Sequence, residues 1–554
     1  MKKKISLLFL IMLLAMGTVL SACNSKEGAS EESEGSKNSE ASTGDKDPLG
    51  KYDETVTVRQ VIGFGNPEDP KTPQGTTPQS NAYVAKLKEM LNIDLKFDWE
   101  VPSEQFEQKF SLALASGDIP DVMQVSVSQF EKFKQQGVLA DLTDAYNDYA
   151  SDTIKSYMEF DGGKTLDLFT QDGKILGIPG YEDPYMSAQF LWIRKDWLDN
   201  LKLDVPTSLE ELEQVAQAFV DQDPNGDGKN NTYGVALNKE LITWGYDARG
   251  LFYTMGAYPK AWTKGEDGSL IPGEIQPQTK EALGLMNSWY DSGIIDKEFA
   301  FKDMDKVVED IVSGKVGIVF GEWWYPGVVL GQSRDNDPNA DWIPLELPTY
   351  KGQESKTLVP ASRITHVVVA NKDFEHPEAA IKMINFYDEL QKPEYEENKP
   401  ENGYVYNWFQ PRIYRPDNIQ LTYNEVNEAL DKNLDEIDSS NPISISVFKD
   451  TKDYLAGDET KWGNYFGRAA QDGGWATVEK IREKGNVVYN EFAGASTPTM
   501  VSKGSSLDKL TDETFTKIIM GSDSIDNFDK YVEDWKKLGG DKITEEVNEW
   551  YKEK

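Results

Sequence analysis

Residues 223–232 read Asp223-Pro-Asn225-Gly-Asp227-Gly228-Lys229-Asn-Asn231-Thr232. Oxygen-bearing side chains at alternate positions 1, 3, 5 and 9, a glycine at position 6 for the sharp turn and the carbonyl of Lys229 at position 7 are what an EF-hand-like loop needs to wrap a hard cation such as Ca2+. The bidentate glutamate that usually closes such a loop is missing, because position 12 is Gly234. The alternative reading is an Asx-rich turn that needs no ion.

A second kind of chemistry is suggested by aromatic residues in segments that follow short apolar runs. Sugar rings carry a C–H face and a rim of hydroxyls, so a carbohydrate site combines flat aromatic rings with amides, carboxylates or arginines. Glu322-Trp323-Trp324-Tyr325 follows the apolar run from Val316 to Phe320, and Trp244-Gly-Tyr246 lies beyond the 223–232 loop. Trp408 and Gly473-Gly474-Trp475 are further candidates. Each tryptophan could instead be core. The Glu322 to Tyr325 group falls where ligands of open α/β sheets gather, outside the carboxyl ends of strands, and Trp323 is expected to be the principal stacking platform. Arg249 and Arg363 stand in or beside these segments, as do Arg194, Arg412 and Arg415. A guanidinium fork suits the carboxylate of an acidic sugar, but pairing with some of the 95 acidic side chains is the reading the composition favours.

The amino terminus carries its own chemistry. Lys2-Lys3-Lys4 precedes an apolar run from Ile5 to Leu20, and Leu20-Ser21-Ala22 leads into Cys23, the only cysteine of the chain. A basic start, a short apolar run and small residues before a cysteine form a lipoprotein export signal. Residues 1–22 are therefore expected to be removed and Cys23 acylated, which tethers the chain to the extracellular face of the cell membrane. Residues 23–51, rich in Ser, Glu, Gly and Lys, are expected to form a disordered tether.

With its one cysteine committed to lipid, the chain has no disulfide to staple it and must be stabilised by burial, which 554 residues can supply. A formal net charge of −37 opposes binding to nucleic acid and to anionic lipid surfaces. The pattern from Thr55 onward is α/β. Thr55 to Val61 alternates like a strand, Asn81 to Asn92 has helical spacing and Asp94 to Trp99 reads as a second strand, which together predict a parallel unit. Val316 to Phe320 and His366 to Val369 are further strands.

These segments resemble, in order, the family 1 extracellular solute-binding proteins of ABC sugar importers. The likeness is carried by Trp192-Ile-Arg194-Lys195-Asp196-Trp197, Val205-Pro206-Thr207 through Leu212 and the 223–232 loop, with Leu114 to Asp121, Gly173 to Pro179, Asp291 to Phe299 and Ser313 to Phe320 around them. The ending, Phe515 to Gly521 with Gly539-Gly540 and Glu546 to Tyr551, is similar to the lipoprotein LipO subgroup. The resemblance implies a two-lobed periplasmic-binding-protein-like α/β fold of type II, with lobes joined by crossovers and a ligand cleft between them. It implies residues 52–182 and 365–470 in one lobe and 183–364 and 471–554 in the other. The implied function is capture of an oligosaccharide by a monomer and its delivery to the transmembrane permease subunits of an ABC importer. In alginate-binding relatives the matching loop holds structural Ca2+, which implies Asp223, Asn225, Asp227, the Lys229 carbonyl, Asn231 and Thr232 as ligands. Asn231 and Thr232 replace residues that are usually acidic, leaving two carboxylates.

No enzyme signature competes. His366 and His376 are the only histidines, which removes zinc-protease spacing, and neither a Gly-x-Ser-x-Gly elbow nor a dinucleotide fingerprint is present. A glycoside hydrolase built from carboxylate pairs is the alternative from another class. A surface sugar sensor is the alternative on the same fold.

Overall fold

The computed structural model describes residues 46–64, 75–229, 231–243, 245–392, 394–398, 409–439 and 441–554. Cys23 with its export segment, Trp244 and Trp408 lie outside the described residues.

The chain opens with the expected parallel unit. Strands Val56–Phe64 and Ile93–Pro102 pair in parallel, Val56 opposite Ile93, with helix Ala82–Leu91 between them in sequence. The helix starts where the Asn81 side chain accepts the Val84 N–H at 3.1 Å and stops at Asn92 in the left-handed region. Tyr83, Leu87 and Leu91, spaced at helical period, form its buried face.

Two sheets position everything that follows. In the first, Arg363–Ala370 runs antiparallel between Val122–Val125 and Ile178–Glu182. In the second the order is Trp342–Leu345, Phe190–Arg194, Val316–Gly321 and Tyr233–Val235. Val316–Gly321 is buried along its whole length, since Ile318 and Phe320 join one core while Val316 and Val319 join another. A strand covered on both faces reads as a continuous apolar run, which is why the sequence marks it so clearly.

The cores divide the chain into two α/β lobes. Val58, Tyr83, Leu95, Tyr181, Val368 and Ile384 belong to one core. Leu191, Trp197, Phe219, Trp289, Phe320 and Phe515 belong to the other lobe, whose sheet buries Trp192, Trp323, Trp342 and Trp475 on its opposite face. Among the described residues, core membership changes between Tyr181 and Ala188, between Val359 and Val367, and between Ile413 and Ile419.

Helices Asn418–Asp431 and Trp462–Arg468 carry Ile419, Trp462 and Phe466 into the core of Trp192 and Trp323. Helix Pro442–Leu455 packs beside them through Val447 and Phe448. Their apolar faces have matching surface on the second lobe, so burial draws this segment there.

Candidate functional site

Glu322 is the first residue past the carboxyl end of Val316–Gly321. Antiparallel register sets Gly321 opposite Phe190, so Gln189 comes beside Glu322. Its amide donates to Glu322 Oε1 at 3.0 Å, and the Trp324 indole N–H donates to Oε2 at 2.8 Å. Arg249 Nη2 lies 3.6 Å from the same carboxylate. Arg249 arrives by close packing: helix Arg249–Thr254 lies on the strand so tightly that a Cβ at Gly250 would come within 2.4 Å of the Phe320 ring. Only glycine permits that approach, and it brings the preceding arginine over the strand end.

Asp247 completes the cluster. It is buried and accepts from Arg249 Nε at 2.7 Å, from the Arg249 backbone at 3.0 Å and from the Thr243 backbone at 3.0 Å. Burial pushes the Asp247 and Glu322 carboxyls up, opposed at both by the Arg249 charge and at Glu322 also by the Trp324 N–H. Burial opposes the Arg249 charge, but Asp247, Tyr253 and Glu322 outweigh it and hold the guanidinium above its ordinary range. From the first sheet comes a cross-strand pair, Arg363 Nε to Glu182 Oε2 at 2.8 Å, and the Arg363 charge is felt at Glu322.

The aromatic expectations divide. Trp324 is half-buried and keeps part of its indole open. Trp323, expected to be the stacking platform, is 5% exposed and belongs to the core. Arg468 sits over its ring at 5.2 Å, and Trp475 meets it at 5.6 Å and 86°. Trp475 is 1% exposed and Tyr246 3%, so neither presents a face to a ligand. Tyr246 packs on Tyr325, whose hydroxyl accepts the Tyr246 N–H at 3.0 Å. Gly473-Gly474 is a packing device: a Cβ at Gly474 would lie 2.5 Å from the Trp323 carbonyl oxygen.

A sequence model of the bacterial extracellular solute-binding proteins matches residues 74–387, more than half of the chain. The chain belongs to that family. It is a family of binding proteins, not enzymes. Over 568 residues the chain is 26% identical to the polygalacturonan/rhamnogalacturonan-binding protein YtcQ of Bacillus subtilis (strain 168), covering all of both chains. It is 25% identical over 521 residues to lipoprotein LipO of the same organism, covering 93% of this chain and 94% of LipO. Among solved structures it is similar to the FusA substrate-binding protein of S. pneumoniae, an EF-hand mutant in complex with fructo-nystose. There the TM-score is 0.56 and the identity 16%, with 90% of this chain and 99% of that one covered.

The 223–232 loop is folded on itself. Asp223 Oδ2 accepts the Gly228 N–H at 3.0 Å, Asn225 Oδ1 the Asp227 N–H at 3.3 Å and Asp227 Oδ1 the Lys229 N–H at 2.7 Å. Asn225 Nδ2 ties the loop to the Gly314 carbonyl at 3.1 Å, and Asn231 Nδ2 donates to Asp227 Oδ2 at 3.0 Å. These donors hold the Asp227 carboxyl below its usual range, the Lys229 N–H foremost. Thr232 departs from the expected ligand set: its buried hydroxyl is turned away to the Phe219 carbonyl at 2.7 Å, tying strand to helix. Among the described residues no group of three or more His, Cys, Asp or Glu could hold a metal. The donor set is instead mixed, and the buried Asp223 Oδ1 has no hydrogen-bond partner.

Arg194 and Arg415 pair with acids. Arg194 bridges Asp196 and Asp337 at 2.6 and 2.9 Å, and Arg415 meets Asp417 at 2.6 Å. Sequence reasoning missed Gln189, Asp247 and Glu182. Only the Asp247-Ala-Arg249 spacing offered a local signal; the other two are brought in by strand register. His366 is structural: buried between Thr365 Oγ1 at 2.9 Å and the Arg412 carbonyl at 2.6 Å, its pKa is pushed down to about 4 by burial. Among the described residues no helix is long and apolar enough to cross a membrane.

Proposed function

We propose that this chain is a lipid-anchored solute-binding protein that captures an oligosaccharide outside the cell and hands it to the permease of an ABC importer. The observation that carries this is the arrangement at the end of Val316–Gly321, where the half-buried Trp324, a hydrogen-bonded Glu322 carboxylate and the Arg249 guanidinium lie side by side. A flat apolar face next to charged hydrogen-bonding groups suits a sugar ring and its hydroxyls. In this reading Trp324 takes the stacking role, and Glu322, Arg249 and Arg363 fix hydroxyls. The sugars named for YtcQ and FusA support the ligand class, and LipO supports acylation at Cys23.

Ca2+ has a structural role in this reading, held by Asp223, Asn225, Asp227, the Lys229 carbonyl and Asn231, with the partnerless Asp223 Oδ1 as the observation that fits it. When bound, the ion neutralises the two carboxylates and stiffens the loop. The loop is tied to Gly314, just before the strand whose far end carries Glu322, and the strand itself spans roughly 17 Å. Ion and sugar are thus separate in this reading. The lobes would comprise about 52–182 with 365–415, and 183–364 with 416–554.

The test is a thermal-shift screen of the purified chain against neutral and acidic oligosaccharides, followed by calorimetry. A ligand that binds only the folded state raises the melting temperature by mass action. No shift with any oligosaccharide, and a shift with an amino acid or peptide, would overturn the sugar assignment.

A further inference from the structure

Nine of the 58 basic residues are arginines. Seven hold a carboxylate in an ion pair, among them Arg249 with Asp247, Arg363 with Glu182 and Arg482 with Asp183. Arg412 is engaged by its neighbours. Arg468 is the exception. It ends helix Trp462–Arg468, is half-buried, and has one neighbour of note, the Trp323 ring 5.2 Å from its guanidinium carbon. Among the described residues it makes no hydrogen bond and no ion pair.

A guanidinium has five N–H donors in a fixed fork and stays charged. Removing it from water without an acceptor is costly, and the ring beneath it recovers only part of that cost. The anomaly is sharper in a chain with 95 acidic residues, where acidic neighbours abound. Burial pulls the Arg468 guanidinium below its ordinary range, and no carboxylate offsets the effect. Its position is also specific. Helix Trp462–Arg468 packs on the loop that begins at Glu322, since a Cβ at Gly467 would lie 3.3 Å from the Trp323 carbonyl oxygen, so the cation lies beside that loop. The Trp323 indole N–H beneath it is likewise buried and without a partner.

We propose that Arg468 is the acid-recognising group of the sugar site, and that the ligand is a uronide whose carboxylate pairs with it in bidentate fashion. This rests on the oligosaccharide reading above and narrows it to one chemical class. Each ion-paired arginine has its charge answered by the protein itself; the charge of Arg468 is answered by the ligand. A neutral sugar would supply hydroxyl acceptors and leave the cation unneutralised.

The experiment is calorimetry of the purified chain with oligogalacturonides and with the same oligomers methyl-esterified, which keeps the shape and removes the charge. The native chain is expected to bind the acid form at least tenfold more tightly, with a preference that shrinks as salt rises. Arg468→Gln is expected to abolish that preference. Arg468→Lys, which keeps the charge without the fork, is expected to retain part of it. Unfolding curves without ligand establish that the variants fold. Equal affinity of the native chain for acid and ester, a preference that survives Arg468→Gln, or binding of neutral oligosaccharides alone would overturn the uronide assignment and leave sugar capture standing. Binding of no oligosaccharide of either class would overturn the reading beneath it.

Discussion

Substituting alanine for Trp323 and, separately, for Trp324 separates the packing residue from the binding residue in one loop. Trp323 is 5% exposed and its ring touches Arg468 and Trp475, so its removal leaves a cavity that the surrounding helices cannot fill. Losses of this kind run to about 3 to 5 kcal/mol. For a lobe of this size that is a fall in melting temperature of order 10 °C. Trp324 is half-buried, meets the Tyr325 ring at 4.7 Å and donates its indole N–H to Glu322 Oε2 at 2.8 Å. Its truncation removes less packing and one bond worth ~1 kcal/mol, so stability falls by only about 1 to 2 kcal/mol.

Affinity should show the reverse order. A stacking ring that closes on a sugar behaves as a hot spot, and its loss costs ~2 kcal/mol, about thirtyfold in Kd. Trp323→Ala, measured well below its lowered melting temperature, should bind a neutral or methyl-esterified oligosaccharide within a few fold of the native chain. The assays are urea unfolding and calorimetry with the oligosaccharide that the screen selects. A destabilised Trp324→Ala beside an intact Trp323→Ala would show that the roles are exchanged. Loss of binding in Trp323→Ala at native-like stability would refute the core assignment altogether.

Gly474→Ala should cost about 1 to 3 kcal/mol, since the new Cβ falls 2.5 Å from the Trp323 carbonyl oxygen and helix Gly474–Lys484 must shift to admit it; an unfolding midpoint equal to the native one would contradict that close approach. For His366 the folded pKa of about 4 lies below the ordinary 6.5, so the unfolded chain takes up the proton first. Its contribution, ~3 kcal/mol, is complete above pH 6.5 and is lost as pH falls through 4. Unfolding curves of native protein and His366→Gln should therefore converge towards pH 4, and an NMR titration of His366 near 6.5 would end the argument. Chelation of Ca2+ should lower the melting temperature and leave sugar affinity unchanged, as should Asp223→Asn; if chelator alters neither melting nor metal content, the loop is only a turn.

The elements most legible in the sequence were those fixed by local pattern. The parallel unit from Val56 to Pro102 and the strand Val316–Gly321 could be read because period and apolar continuity are properties of a few consecutive residues. The loop past that strand was also legible, as an aromatic segment opening on Glu322. Which of its two tryptophans faces inward was not, because the choice is made by contacts with Arg468 and Trp475, some 150 residues away. The same applies to Gln189, which carries no motif and reaches Glu322 through strand register alone. Helices between Asn418 and Arg468 are amphipathic whichever lobe they join, so periodicity could not assign them.

The charges around the site bear on how a uronide would lie in it. Asp247 and Glu322 already share the Arg249 guanidinium, and burial pushes both carboxyls up, so that corner holds as much negative charge as its one cation can support. A ligand carboxylate placed there would meet like charge at short range, a cost that grows as water is excluded. Hydroxyl groups are accepted instead, because they donate to the carboxylates and add no charge. The Arg468 end of the site is the opposite case, a cation with donors and no acceptor. A sugar acid bridging the two ends is therefore held in one orientation, hydroxyl rim towards Glu322 and carboxylate towards Arg468. Reversing it would pair acid with acid at one end and strand the guanidinium at the other. The preference for an acidic over a neutral sugar then comes from the attraction at Arg468, while the repulsion at Glu322 excludes the reversed orientation.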